Sequence, residues 1–247
     1  MPKREIISEV ESFKLPSGIA VEIQEIDAAA ERLLTNRKEM STGRALNKIM
    51  LSALVSLNNK PLPENEGEAN ALILDMKTGD RNYLLLRIRM QSYGDELIFN
   101  YECPHCHKIS GYKINLREAL DKGELKVYEY RKDTPIIIET RGGTAEIDYS
   151  TGRTEQFLAQ QSEFDTVIMA LAACKSFNGK PPVYKDFINL SVKDLAKIRK
   201  TAYADLKGGL EPKIELDCLE CDRSYDAPLY AIPDFFIPVT TAESIGL

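Results

Sequence analysis

The sequence predicts an α+β protein, an internally duplicated helix-helix-strand unit whose two Cys-x-x-Cys hairpins form one shared zinc ribbon. Two observations lead to this prediction. The 247-residue chain aligns with itself in three consecutive blocks, and each copy ends in a Cys-x-x-Cys motif that follows a predicted strand. We expect a first repeat over residues 1–116, a connector over 117–140, a second repeat over 141–232 and a C-terminal docking tail over 233–247.

The first aligned block pairs residues 18–34 with residues 142–158. Both segments begin with a glycine, share Glu-Ile near the start and end in a leucine. Chance could supply any one such match. The three blocks occur in the same order in both copies and end on the same cysteine spacing, and that agreement is the argument for a duplication.

The second block pairs residues 46–61 with residues 166–181, and apolar residues recur at helical spacing in both. In the first copy the stripe consists of Leu46, Ile49, Met50, Ala53, Leu54 and Leu57. Its counterparts are Thr166, Met169, Ala170, Ala173, Cys174 and Phe177. Because proline cannot continue a helix, we predict one helix in each copy that ends before the shared Asn and Lys-Pro.

The third block aligns residues 72–106 with residues 187–221 without a gap. Each segment is predicted to be a helix that ends at a glycine, Gly94 in the first copy and Gly209 in the second, followed by a short strand. That strand leads directly into Cys-x-x-Cys. Ser191, followed three residues later by an aspartate, resembles a helix capping box.

The two motifs supply four candidate metal ligands, Cys103, Cys106, Cys218 and Cys221. Two residues between cysteines allow a tight turn to direct both sulfur atoms to one point, and two such turns provide the four thiolates of a tetrahedral zinc site. We therefore predict one structural zinc ion whose binding energy contributes to folding. A redox or disulfide pair and a site that has lost its metal are the alternatives.

The other residues of this chemical type have simpler interpretations. His105 and His107 could replace a thiolate, but their counterparts are Glu220 and Asp222, so we expect the histidines to face solvent. Cys174 lies on the apolar stripe and is expected to be a small core side chain.

Composition and motifs argue against several classes of function. The formal net charge is −6, so no general attraction to nucleic-acid phosphates is expected. No apolar run is long enough to span a bilayer, and no signal peptide is evident, which predicts a cytoplasmic protein. A closed four-thiolate shell leaves no position for a catalytic water, and no hydrolase or phosphate-loop motif occurs, so we expect no enzyme.

The chain resembles the bacteriophage T4-type baseplate proteins, which include the hub and hub-assembly proteins of contractile tails. The resemblance rests on "LPSGIAVEI", a helix with "ERLLTNR", "SLNNKP", "LLLRIRMQSYGDELIFNYECPHC" and "PDFFIP". It implies a non-enzymatic part in building the baseplate hub, in the host cytoplasm during assembly or in the virion tail. The implied partners are other hub or tail proteins, with no nucleic acid, membrane or small-molecule substrate.

Two further expectations concern partners. Phe235, Phe236 and Ile237 lie between two prolines near the C-terminus and are the best candidates for binding a partner. Alternatively, the phenylalanines fold back onto their own core. The other function kept open is a zinc-ribbon nucleic-acid-binding or transcription adaptor, which the acidic charge and the absence of a basic cluster around the cysteines disfavour.

Overall fold

A computed structural model describes residues 8–34, 44–161, 165–232 and 235–237. The chain is a mixture of helices and short antiparallel strands, as the α+β prediction requires. Among the described residues, no helix is long and apolar enough to cross a membrane.

The first part of the chain forms a four-stranded antiparallel sheet, and the described residues between its second and third strands include two helices. The strands are β1 (Glu11–Lys14), β2 (Ala20–Ile23), β3 (Leu54–Leu57) and β4 (Lys60–Pro61), in the order β1-β2-β3-β4. The inserted helices are α1 (Ala28–Leu34) and α2 (Arg44–Ala53). This sheet, α2 and the two following helices, α3 (Glu66–Asp75) and α4 (Thr78–Tyr93), enclose one apolar core cluster.

A second sheet later in the chain has the same connections. Its strands are β8 (Ile136–Thr140), β9 (Gly143–Ile147) and β10 (Cys174–Phe177), in the order β10-β9-β8. Helices α6 (Gly152–Ala159) and α7 (Thr166–Ala173) are inserted between β9 and β10. Helices α8 (Tyr184–Ile188) and α9 (Val192–Lys200) follow, and a π-helical turn (Thr201–Asp205) extends α9.

The two sheets also agree in register. Each contains one register shift between its inner pair of strands. The matching pairs are Ile23–Leu54 with Ile147–Cys174, Glu22–Ser56 with Glu146–Ser176, and Val21–Leu57 with Ala145–Phe177. In each match, both residues of the first sheet are aligned in sequence with the corresponding residues of the second sheet.

The predicted helices over the apolar stripes are wrong in their last turn. Helices α2 and α7 end at Ala53 and Ala173, and the next four residues of each copy form β3 and β10. Leu54 and Ser56 are buried while the residues between and after them are half-buried, which is the alternation of a strand. In a segment this short, apolar spacing does not distinguish a helix from a strand. Hydrogen bonding to the edge of β2 or β9 therefore decides the conformation.

The shared Asn and Lys-Pro positions form hairpin turns after these strands. Asn58 and Asn59 have positive φ values of 53° and 60°, and Asn178 and Gly179 have values of 51° and 72°. Two successive residues with positive φ define the tight turn that best joins twisted antiparallel strands, and asparagine and glycine tolerate that conformation.

The glycine predicted to end the helix of the third block has different roles in the two copies. Gly94 follows the last turn of α4 with φ 83°, as predicted. In the second copy the helical segment ends at Asp205, and Gly209 instead begins β11 (Gly209–Leu210), so that prediction is wrong. A Cβ at Gly209 would lie 2.4 Å from the carbonyl carbon of Gly79, so the close approach of two backbones explains the glycine.

The remaining elements form the cysteine-bearing hairpins and their supports. These are β5 (Glu96–Glu102), β6 (Ile109–Asn115), α5 (Leu116–Asp121), β7 (Val127–Tyr128), β12 (Lys213–Asp217), β13 (Ser224–Pro228) and a 3-10 turn (Leu229–Ala231). Strand β7 pairs with β11, β5 with β6, and β12 with β13. The predicted connector 117–140 therefore contains β7 and also β8, which belongs to the second sheet.

Candidate metal centre

Each Cys-x-x-Cys motif forms the turn of one antiparallel hairpin. The backbone N–H of Cys103 donates to Lys108 O (2.9 Å), and that of Cys218 donates to Arg223 O (3.0 Å). These bonds close the ends of β5–β6 and β12–β13. The first cysteine of each motif is therefore fixed at the end of a strand, and the second lies in the turn.

The two turns have the same pattern of internal hydrogen bonds. The N–H groups of His107 and Asp222 donate to the carbonyls of Cys103 and Cys218, and both donors have positive φ, 59° and 55°. The N–H of His105 lies 3.4 Å from Cys103 Sγ, and that of Glu220 lies 3.4 Å from Cys218 Sγ. The proline of the first motif has a leucine as its counterpart, yet the two turns have the same geometry.

All four sulfur atoms lie within 4.8 Å of one another. Cys103 Sγ is 3.9 Å from Cys221 Sγ, and Cys106 Sγ is 3.6 Å from Cys218 Sγ. Disulfide sulfurs would be about 2.05 Å apart, and all five cysteines are free thiols. Metal–sulfur bonds of about 2.3 Å in a tetrahedron place sulfurs about 3.8 Å apart. The four thiols could therefore hold one metal ion.

The pKa values of these thiols are shifted in opposite directions. Desolvation opposes charge on Cys103, but hydrogen bonds from the N–H groups of Cys106 and His105 outweigh it and lower its pKa to about 6. At Cys221 the N–H of Arg223 favours the thiolate, but desolvation and the neighbouring thiols raise the pKa to about 12. A cation that binds four thiolates must displace the remaining protons, so its affinity decreases as the pH is lowered.

Apolar and aromatic side chains surround the sulfur cluster. Cys103 and Cys218 are each 1% exposed, while Cys106 and Cys221 are half-buried. The hydroxyl groups of Tyr112 and Tyr225 lie 3.0 Å apart and so join the two hairpins by a hydrogen bond. The cluster is consequently shielded on its inner side and reachable from the turns.

The remaining chemical candidates lie outside the cluster. His105 and His107 are exposed, as predicted, and His107 Nδ1 lies 3.0 Å from Glu102 Oε1. Cys174 is buried on β10, where its thiol donates to Ser176 O (2.8 Å), and burial raises its pKa to about 11.

The three predicted partner-binding residues differ in exposure. Phe235 is 1% exposed within the core cluster beneath the hairpins, whereas Phe236 and Ile237 are half-buried. Residues 233–234 and 238–247 of the predicted tail lie outside the described residues. Binding of a partner by this segment stays a prediction.

Two buried arginines on α4 were missed by sequence reasoning. Arg89 is 1% exposed and donates to Phe235 O (2.9 Å), Glu96 O (2.8 Å) and Gly94 O. Arg81 is 4% exposed and donates to Asn47 Oδ1, a backbone carbonyl and Glu155. The sequence does not distinguish either residue, because Arg81 precedes the apolar run of α4 and Arg87 and Arg89 have the same surroundings within it.

Comparison with known proteins identifies the family. The family model described as T4 bacteriophage base plate protein matches residues 9–237. No curated protein and no solved structure gives a match. Because the match covers most of the chain, the protein belongs to the T4 bacteriophage base plate protein family, which makes it a structural protein of the phage tail that associates with other tail proteins.

Proposed function

We propose that the chain is a non-enzymatic adaptor of the baseplate hub, acting in assembly or as a structural subunit, and that one zinc ion stabilises it. The observation that carries this proposal is the cluster of four thiols, drawn in equal numbers from two distant hairpins. A metal bound there would fix the relative position of segments more than 100 residues apart, as the 112- and 118-residue separations of the paired cysteines show.

Zinc is the metal that best suits this set of ligands. Four thiolates in a tetrahedral arrangement favour zinc or an iron–sulfur site over the hard cations, which prefer oxygen. The spacing of the sulfurs supports a single ion. With Cys103, Cys106, Cys218 and Cys221 all acting as ligands, the shell is closed, and a closed shell is typical of structural rather than catalytic zinc.

We also propose that the two halves of the chain, each with one cysteine-bearing hairpin, descend from one duplicated unit. The matched register of the two sheets, the matched turns after β3 and β10 and the identical bonds of the two cysteine turns support this proposal. Such a duplication supplies two equivalent hairpins, so that one ion is bound about a local twofold axis.

An adaptor needs surfaces for its partners and no catalytic site. We place the protein in the host cytoplasm during assembly and propose that it contacts other hub proteins, with Phe236 and Ile237 within its contact surface. Nucleic acids, membranes and small-molecule substrates are not among the proposed partners. The two phenylalanine rings contact each other at 4.8 Å, so Phe235 would position Phe236 from beneath.

The test is affinity capture from infected cells, compared with the protein content of purified particles. We expect hub or tail proteins to be captured with the wild-type chain and zinc to be present at one ion per chain. Cys218→Ser should lose both. The control Cys174→Ala should keep both, because Cys174 lies outside the sulfur cluster.

Capture of a cellular RNA polymerase without tail proteins would contradict the adaptor role and favour a transcription function. Wild-type protein that captures tail proteins but contains no zinc would contradict the proposed zinc site and leave the adaptor role standing. The presence of the chain in purified particles would identify a subunit, and its absence would identify an assembly factor.

A further inference from the structure

A cavity of about 210 Å³ lies where the two halves of the chain meet. Its lining comes from the start of α4, from β7 and the residues after it, from the residues after β9, and from the segment that joins the π-helical turn to β11. The cavity is partly open to solvent. Pockets for cofactors and drug-sized ligands measure about 300–1,000 Å³, so this cavity suits a smaller group, such as one side chain.

The backbone around Lys77 in the cavity wall is held by the second half of the chain. The N–H of Thr78 donates to Ser150 O (2.8 Å). In addition, a Cβ on Gly79 would lie 1.9 Å from Gly208 O, so two backbones are in contact there and only glycine fits. The position of Lys77 is therefore fixed by the fold.

Lys77 places its ammonium group over two aromatic rings of the cavity. Its Nζ lies 4.3 Å from the ring centroid of Tyr130 and 4.6 Å from that of Tyr149, and the two rings meet edge to face. Contacts of this kind orient an ammonium group, but they give its three N–H donors no oxygen acceptor. Because Lys77 already occupies both rings, the cavity does not suit a second cation.

Lys77 is the one ionised group of the lining that has no ion pair within the described part of the chain. The other two are Lys207 and Glu211, whose charged atoms lie 3.5 Å apart. Glu211 also accepts from the hydroxyl group of Tyr128 (3.0 Å). The lining thus carries two ammonium groups and one carboxylate, which leaves it with a net positive charge that resides on Lys77.

Two polar groups near Lys77 do not supply the missing partner. Asp80 is 1% exposed and does not line the cavity, and its carboxylate accepts from the N–H of Ser17 (3.0 Å). Burial raises the pKa of Asp80, and Lys77 acts on it through space without forming an ion pair. Thr78 Oγ1 is buried and has no hydrogen-bond partner among the residues that the structure describes, which is uncommon in native proteins.

Another wall of the cavity contains the π-helical turn. The N–H of Leu206 donates to Thr201 O (2.9 Å), and Ala202, Tyr203 and Leu206 line the cavity. Tyr203 donates to Met169 O (2.9 Å), which holds its ring in place. Turns of this type are rare and frequently lie at functional sites. This wall is therefore preformed as well.

From these observations we infer that the cavity binds one carboxylate side chain of a partner tail protein, with the ammonium group of Lys77 as its ion-pair partner. A carboxylate supplies the acceptors that Lys77 lacks, and its single negative charge balances the net charge of the lining. The tyrosine rings can cover the hydrocarbon part of the side chain. The inference rests on the proposed adaptor function for the source of the carboxylate, and it names the chemistry of one contact.

An NMR titration of the ¹⁵N-labelled full chain tests the cavity. The probe is N-acetylglutamate methylamide, which carries one carboxylate, and the corresponding glutamine compound is its uncharged control. We expect the glutamate probe alone to shift the amide signals of Thr78 and Gly79. Lys77→Met should weaken this binding at least about tenfold, because a charged hydrogen-bond donor is lost, whereas Lys77→Arg should retain it.

Lys175→Met is the matched control. Lys175 is an exposed lysine outside the cavity, 3.5 Å from a carboxylate oxygen of Asp148, so its loss removes the same charge and should leave binding unchanged. Equal binding of both probes, no shift with either, or tighter binding of inorganic phosphate would overturn the inference. If Lys77→Met does not fold, the two probes on the wild-type chain still give a decisive comparison.

Affinity capture from infected cells tests the source of the carboxylate. Lys77→Met should lose at least one tail protein that both the wild-type chain and Lys175→Met capture. Probe binding together with unchanged capture of tail proteins would overturn the assignment to a partner. If the wild-type chain captures no tail protein, the proposed function and the source of the carboxylate both fail, while the titration still decides whether the cavity binds a carboxylate.

Discussion

The two places where the halves of the chain meet are built from different chemistry. At the cysteine-bearing hairpins, four thiols lie close together, with sulfur–sulfur distances of 3.9 and 3.6 Å between the hairpins, and under the proposed function a cation holds them in place. The second place is the contact between residues 73–81 and residues 150–155, which we call the internal junction. There Arg81 donates hydrogen bonds to Asn47, a backbone carbonyl and Glu155. Under the proposed function, the structure of the first region depends on a bound metal, whereas that of the second depends on the polypeptide alone.

Removing the metal ligands should have the largest effect and should separate the two regions. In Cys218→Ser one ligand is weakened while Cys106 loses its nearest sulfur, and structural zinc sites contribute folding free energy directly. We expect loss of zinc, a fall of about 10 °C or more in the unfolding temperature and fast amide exchange in β5, β6, β12 and β13. Hydrogen exchange measured by mass spectrometry checks this.

The same measurement on Cys174→Ser provides the control, since that thiol lies outside the sulfur cluster. Slow exchange should persist in β2 and β3 in both variants. If β2 and β3 lose protection together with the hairpins when zinc is lost, the two regions are not independent and the comparison fails.

Truncating Phe235 should have the next largest effect. Its ring is 1% exposed in the core cluster beneath the hairpins, and its carbonyl accepts from buried Arg89. Phe235→Ala should lower the free energy of unfolding by about 3–5 kcal/mol, the usual cost of removing a buried phenylalanine. Denaturant unfolding measures it.

Phe236→Ala is the matched control because its ring is half-buried. We expect it to cost less stability and, under the proposed function, to weaken capture of hub proteins. Equal losses of stability in both variants would assign the whole segment to core packing and leave the docking proposal without support.

Breaking the internal junction should have a smaller effect than either change to the hairpin region. Arg81→Met leaves Asn47 Oδ1 without its donor, which costs about 1–3 kcal/mol, whereas the carbonyl of Ile73 still accepts from the N–H of Met76. The Glu155 side chain is 39% exposed and can be rehydrated, so its loss adds little. We expect a total of about 1–3 kcal/mol, with zinc content unchanged.

Glu155→Gln serves as the control, with an expected cost of less than about 1 kcal/mol. A zinc content that falls in Arg81→Met would show that the two regions are coupled. Denaturant unfolding and metal analysis of the same preparations distinguish these results.

The sequence predicted local features well where one residue type determines the backbone. The end of α4 at Gly94 and the grouping of the cysteines into two turns were both readable from spacing. These features depend on residues close in the chain, so a self-alignment detects them.

Features that depend on distant partners were not predictable. Leu54 and Cys174 were assigned to helices because their spacing fits a helix, but strand pairing with β2 and β9 decides their conformation. Arg89 donates to a carbonyl 146 residues away, and no local pattern indicates such a partner. Charged residues are usually exposed, so a buried arginine is not expected from sequence.

The smallest expected effect distinguishes Cys174 from the four metal-site thiols by reactivity. Burial raises its pKa to about 11, so at pH 8 only about one thiol in a thousand is ionised. Because the thiolate is the reactive form, Cys174 in the folded chain should react with Ellman's reagent far more slowly than an ordinary cysteine. Under the proposed function, adding a chelator should let the two hairpins separate and release four fast-reacting thiols, because the folded contacts that raise the pKa of Cys221 are then lost. Guanidinium should then expose the fifth. Five fast thiols after chelation alone would mean that loss of the metal also opens the second sheet, which would contradict the independence of the two regions.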